Sequence, residues 1–138
     1  MKVVYTNTSG AKEGFNDYKY MKLDELLAVS DFISIHIPCS QDQQPVIGEA
    51  QFAKMKDGVY LVNTARGGVV SEEALLKALD SGKVVAAALD VFEEEPTKNE
   101  RIYTHERISL TPHIGASTNE AQERIGGEII QIIQNFFE

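Results

Sequence analysis

The chain has 138 residues, 43% hydrophobic and 25% charged, an ordinary balance for one globular domain that buries roughly two thirds of its unfolded surface. Its formal net charge is −8 with no cluster of Lys or Arg, which argues against nucleic acid or an acidic membrane surface as partner. No apolar run reaches the roughly 20 residues of a membrane span, no leader pattern opens the sequence, and the single cysteine, Cys39, rules out an internal disulfide. A cytoplasmic location is the resulting expectation.

Residues 2–6 (KVVYT) form the first apolar run, and residues 10–20 (GAKEGFNDYKY) are polar and turn-like, so they are expected to be a loop. An amphipathic helix over 23–29 leads to the run 32–37 (FISIHI), and a helix over 49–55 leads to the run 59–63 (VYLVN). A third helix over 72–79 precedes the run 84–91 (VVAAALDV); a short run, 108–111 (ISLT), then precedes a long helix over 118–137. The runs are apolar almost throughout, which indicates parallel strands covered on both faces. Ser71 is placed to N-cap the third helix, with Glu72 and Glu73 at its positive end and Gly82 beyond its last turn. Residues 117–120 (STNE) have the pattern of a capping box. Gly126 and Gly127 interrupt the last helix at a cost of about 1 kcal/mol each relative to alanine; either a backbone packs closely there, or the helix bends, or the site is a local weak point. The alternation predicts a doubly wound α/β sheet of five strands in one domain, 1–138. No metal site is expected.

Ligands bind open α/β sheets beyond the carboxyl ends of the strands. Three polar groups fall there: Arg66 in Asn63-Thr64-Ala65-Arg66-Gly67-Gly68, Glu95 in the stretch from Asp90 to Pro96, and His113 after Thr111-Pro112. A guanidinium grips a carboxylate through two parallel hydrogen bonds and stays charged at any working pH. Imidazole moves protons near neutrality, and a neighbouring carboxylate fixes its tautomer. Asp90 ends an apolar run and is expected to face the same crevice, while Pro96 restricts Glu95 more than its acidic neighbours. Each residue alone has a plain alternative as a solvated loop side chain, and His36 and His105 are read that way. Cys39 is read as a small buried apolar residue. Together, Arg66, Glu95 and His113 on three strand ends suit a small substrate with a carboxylate and a hydroxyl.

The segments SDFISIHIP (30–38), NTARGG (63–68), ALDVFEEEP (88–96) and LTPHIGAST (110–118), in this order and spacing, resemble the D-isomer-specific 2-hydroxyacid dehydrogenases. The wording of the last three is closest to the 3-phosphoglycerate dehydrogenases. The resemblance covers essentially the whole chain and implies an NAD-dependent oxidoreductase domain. It gives Arg66 the substrate's carboxylate, His113 the hydroxyl proton, Glu95 the orientation of His113, and Asp90 the nicotinamide carboxamide. Thr64, Ala65, His113, Gly115 and Ala116 would line the nicotinamide, with Ile37 and Pro38 nearer the adenosine.

The chain also departs from that family. It contains no G-x-G-x-x-G turn to cradle a pyrophosphate. Residues 1–5 resemble the family's second strand, so the first strand, its glycine loop and the substrate domain are expected to be absent. Asn7 stands where the family usually has an acid for the adenosine ribose. An amide lacks the charge that repels a 2′-phosphate, which weakens the preference for NAD over NADP. With the central strand removed, the order 3-2-1-4-5-6 becomes 3-2-4-5-6. Closing the gap would give a flavodoxin-like order, 2-1-3-4-5, with residues 2–6 beside residues 59–63. The competitor is an oligomer paired through strands across chains.

The implied parent is a cytoplasmic homodimer acting on a small 2-hydroxy or 2-keto acid, 3-phosphoglycerate being one candidate, with the isolated chain inactive and binding cofactor weakly. Two alternatives stay open: a non-catalytic nucleotide- or protein-binding module of the corepressor type, and an inert truncated scaffold.

Overall fold

The computed structural model describes residues 1–14, 17–39 and 44–137; residues 15–16 of the expected 10–20 loop lie outside the described residues. Eleven elements follow one another among these residues: β1 (Val4–Tyr5), β2 (Lys19–Tyr20), α1 (Leu23–Val29), β3 (Phe32–Ile35), α2 (Glu49–Lys54), β4 (Val59–Asn63), α3 (Glu72–Asp80), β5 (Val84–Leu89), α4 (Glu100–Tyr103), β6 (Ile108–Leu110) and α5 (Asn119–Phe137). All the paired strands among them are parallel.

The strands form two pieces: a two-stranded sheet, β1-β2, and a four-stranded sheet, β3-β4-β5-β6. The closed five-stranded order, 2-1-3-4-5, does not occur. The reason is a strand hidden in the polar stretch. Lys19–Tyr20 pairs in register with Val4–Tyr5, so residues 2–6 have their neighbour there. The edge of β4 that the closed order assigns to them is taken by β3, with Phe32 opposite Tyr60 and Ile35 opposite Asn63. No gap beside β4 is left to close.

Side-chain alternation fixes the core. Ile33, Ile35, Val59, Leu61, Val84, Ala87 and Leu89 are buried from the four-stranded sheet, with Leu27, Phe52, Leu75, Leu76 and Leu79 from the helices. Helices α1, α2 and α3 pack in sequence against one another, and α3 packs on β5. The apolar runs predict cover on both faces, yet Phe32 and Tyr60 remain 68% and 40% exposed, stacked with ring centroids 4.9 Å apart. At β3 and β4 the sheet is covered on one face. The small sheet joins the same core through Val4, together with Met21, which follows β2, and Leu23 at the start of α1.

The helix starts follow local chemistry. Ser71 Oγ accepts from Ala74 N–H at 3.3 Å and caps α3 as expected. The α5 cap is Thr118, whose Oγ1 accepts from Ala121 N–H at 3.2 Å, one residue later than a box begun by Ser117. Around Gly126 and Gly127 nothing lies within 4 Å of where a β-carbon would sit, so close backbone packing does not explain them. Helix α5 buries Ala121 and leaves Ile129, Ile130, Ile132, Ile133, Phe136 and Phe137 exposed.

Candidate active site at the carboxyl ends of β4, β5 and β6

Strands β4, β5 and β6 are adjacent and parallel, so the segments carrying Arg66, Glu95 and His113 leave the sheet along one rim. Glu95 and His113 meet directly. His113 Nδ1 lies 2.6 Å from Glu95 Oε2, and Glu95 Oε1 accepts from Phe92 N–H at 3.1 Å. The hydrogen bond to His113, helped by that of Phe92 N–H, holds the Glu95 carboxyl below its ordinary value against the opposing effect of burial. Both side chains keep solvent access, at 47% for His113 and 36% for Glu95. Beside them opens a cleft of about 610 Å³ walled by Phe92, Pro96, Tyr103, Leu110 and Pro112.

His113 has φ +53°, in the left-handed region that costs a non-glycine residue energy and recurs at functional sites. Asp90 holds the loop in that shape. Its Oδ1 accepts from Thr111 Oγ1 at 2.6 Å and from Ile114 N–H at 3.0 Å, and its Oδ2 accepts from Gly115 N–H at 3.2 Å. Burial pushes the Asp90 carboxyl up, but the Thr111 hydroxyl and the two backbone N–H groups outweigh it, and the net shift is downward. Asp90 is 5% exposed. Its carboxylate, expected to point into the crevice rather than the core, is held at the strand end against the His113 loop, because three donors from that loop converge on it.

The Arg66 loop is built by Asn63, which is 3% exposed. Its Oδ1 accepts from Ala65 N–H at 3.1 Å, and its Nδ2 donates to Arg66 O at 3.1 Å. Arg66 is exposed, and its Nη1 donates to Ala65 O at 2.6 Å. Gly67 sets this loop against the Glu95 segment: a β-carbon there would fall 1.7 Å from the Phe92 carbonyl oxygen. Cys39 is exposed rather than buried. Its Sγ donates to Gly67 O at 3.0 Å, which brings the segment after β3, with Ile37 and Pro38, beside residues 64–68. Asn7 follows β1, where its Oδ1 accepts from Ser9 Oγ at 3.1 Å. His36 pairs with Ser34 Oγ at 2.7 Å, and half-buried His105 lies 3.7 Å from Asp80, both away from the rim pair's hydrogen bonds.

Sequence reasoning misses the buried carboxylate of Glu72, 7% exposed. Glu72 N–H donates to Glu93 Oε1 and Glu93 N–H donates to Glu72 Oε1, both at 2.9 Å. Asn99 Nδ2 donates to Glu72 Oε2 at 2.8 Å. As a first-turn acid, Glu72 resembles any helix-start carboxylate, and its partners lie 21 and 27 residues away. Only a periodic signal across those separations would have revealed it, and none exists.

Residues 1–115 match the family model described as "D-isomer specific 2-hydroxyacid dehydrogenase, NAD binding domain". The chain is 50% identical over 118 residues to a hydroxypyruvate reductase of Thermotoga maritima, covering 83% of this chain and 39% of that protein. It is 47% identical over 114 residues to D-3-phosphoglycerate dehydrogenase 2, chloroplastic, of Arabidopsis thaliana, covering 82% and 18%. The crystal structure of a glyoxylate reductase from Paecilomyes thermophila superposes with a TM-score of 0.92 at 40% identity, covering all of this chain and 42% of that one. That of a D-lactate dehydrogenase from Aquifex aeolicus, complexed with NAD and lactic acid, gives 0.83 at 34% identity, covering 99% and 46%. The chain spans less than half the length of each of these proteins.

Proposed function

We propose that this chain, which belongs to the D-isomer specific 2-hydroxyacid dehydrogenases as their NAD-binding domain, supplies the proton-transfer and carboxylate-binding groups for hydride exchange between NAD and a 2-hydroxy acid in a longer parent enzyme. The observation that carries this is the 2.6 Å contact between His113 Nδ1 and Glu95 Oε2. With Nδ1–H donated to Glu95, the Nε2 lone pair is free to take the proton of a substrate hydroxyl, and to return it when a 2-keto acid is reduced. Arg66 is the group for the substrate carboxylate; exchanging its bond to Ala65 O for a carboxylate gives a paired, charge-assisted contact. NAD, when bound, supplies the hydride acceptor or donor.

The donor set fits the nicotinamide end of that cofactor. Thr64, Ala65, Gly115 and Ala116 belong to the segments that follow β4 and β6, beside Asp90 and His113. The Asp90 carboxylate accepts three bonds from its own chain and keeps about one of its roughly four lone-pair sites for a carboxamide. Ile37 and Pro38 offer an apolar wall for the adenosine, and Asn7 an amide for its ribose. Asn7 sets no charge barrier against NADP. The phosphates fit less well, because the sequence holds no G-x-G-x-x-G turn to aim backbone N–H groups at them.

In this proposal residues 1–138 are one unit of a cytoplasmic, homodimeric parent that recognises neither nucleic acid nor membrane, in keeping with the net charge of −8. No described helix is long and apolar enough to cross a membrane. The substrate is a small 2-hydroxy acid, with 3-phosphoglycerate the member favoured by the wording of the motifs. The chain alone does not turn over, since a substrate without an opposing wall is not held in reactive geometry.

A chimera tests the proposal. The matching segment of the Thermotoga maritima reductase is replaced by this chain, and NADH oxidation is followed with hydroxypyruvate. The chimera is expected to turn over, and His113→Gln within it to lower kcat about 10²- to 10⁴-fold. A chimera that keeps its full activity after His113→Gln would contradict the assignment.

A further inference from the structure

Glu95 sits on a segment with little regular structure: between β5 and α4, residues 90–99 form no strand or helix. Such a segment holds a side chain in place only if other elements anchor it. Both ends of the stretch that carries Glu95 are anchored to the same carboxylate. Glu72 Oε1 accepts Glu93 N–H at 2.9 Å, and Glu72 Oε2 accepts Asn99 Nδ2 at 2.8 Å. In return, Glu93 Oε1 accepts the N–H of Glu72 itself, one of the free donors at the start of α3. Glu72 is 7% exposed, so its bonds are shielded from competing water, and each is charge-assisted. The backbone of α3, packed on β5, is thereby the reference frame for residues 93–99.

We propose that Glu72 is a positioning residue, whose carboxylate fixes both ends of the 93–99 segment so that Glu95 is presented to His113. The inference rests on the reading of Glu95 and His113 as the working pair. Glu72 touches neither residue in its hydrogen bonds; it acts through the backbone between Glu93 and Asn99. The ionisable groups that act on Glu95 are His113, from the loop after β6, and Asp90, from the end of β5.

The test is a carbon-13 NMR titration of the Glu95 carboxyl in the intact chain and four variants. In the wild-type chain the midpoint lies below the ordinary value of 4.5. Glu72→Ala removes both anchors and moves the Glu95 midpoint up toward that value. Asn99→Ala removes one anchor, leaves α3 intact and gives a smaller upward shift, so it decides the matter if Glu72→Ala does not fold. Glu72→Gln restores the anchoring: its carbonyl oxygen accepts Glu93 N–H, and its amide donates to the Asn99 oxygen once that side chain turns over. It therefore titrates like wild type. Glu73→Gln, which alters the surface pairs with Lys77 and Arg101, leaves the midpoint in place. Folded Glu72→Ala or Asn99→Ala chains with an unmoved Glu95 midpoint would overturn the positioning role alone. An ordinary midpoint in the wild-type chain would overturn the Glu95–His113 pairing itself.

Discussion

Gly67 lies flat against the backbone of Phe92. A β-carbon at position 67 would fall 1.7 Å from the Phe92 carbonyl oxygen and 2.4 Å from its carbonyl carbon. This contact sets the distance between the segment that carries Arg66 and the segment that carries Glu95. Backbone cannot swing aside as a side-chain tip can, so Gly67→Ala forces the two segments apart. The expected cost is about 2–4 kcal/mol, measured by denaturant unfolding. In NMR spectra the largest amide shifts should fall at residues 64–68 and 91–95.

Asp90 should show its role through pH. Its carboxyl and that of Glu95 both lie below their ordinary values in the folded chain. A depressed folded value contributes stability that is fully present above the unfolded value, about 4, and is lost as pH falls through the folded value. These two groups therefore leave stability flat between pH 5 and 8 and erode it below about pH 4. Asp90→Asn is expected to cost about 1.5–3 kcal/mol near neutrality, because Thr111, Ile114 and Gly115 lose a charged acceptor. The gap between variant and wild type should narrow as the pH falls. Urea unfolding at several pH values measures both effects.

Gly126 and Gly127 offer the opposite kind of test. Both lie inside α5, and open space surrounds each. Alanine at either position should raise stability by about 1 kcal/mol through helix propensity alone. Thermal unfolding followed by circular dichroism would record the gain, and a loss of stability would show that this helix needs the glycines.

The core sets a scale for these effects. Leu75 is fully buried on α3, the helix whose first residue carries the Glu72 clasp. Leu75→Ala should cost about 2–5 kcal/mol and, by loosening α3 against β5, reduce hydrogen-exchange protection at Glu93 N–H as well as in the helix. Protection at Glu93 that survives in the variant would separate the clasp from the core.

Much of the rim is legible in the residues alone. Apolar runs ending in Asn63, Asp90 and Thr111 place polar groups at strand ends, and parallel strands bring such ends to one side. The strand order is not legible. Lys19–Tyr20 is two residues long and sits in a polar stretch, so nothing in its hydropathy marks it as a strand. Without it the strand assignment shifts by one place, and the gap to be closed falls beside the wrong strand. Asp90 is legible as a strand-end group turned away from the core, but its partners are not, because Thr111, Ile114 and Gly115 lie 21 to 25 residues further along the chain. Glu72, Glu93 and Asn99 are beyond reach because hydrogen bonds across long separations leave no local pattern.

The pairing of His113 with Glu95 can be measured without cofactor or substrate, by nitrogen-15 NMR of the histidine ring. On the neutral ring, the proton should reside on Nδ1, donated to Glu95, with Nε2 carrying the free lone pair, and Glu95→Gln should redistribute it. A neutral His113 protonated on Nε2, or a tautomer indifferent to Glu95→Gln, would contradict the proton-transfer role.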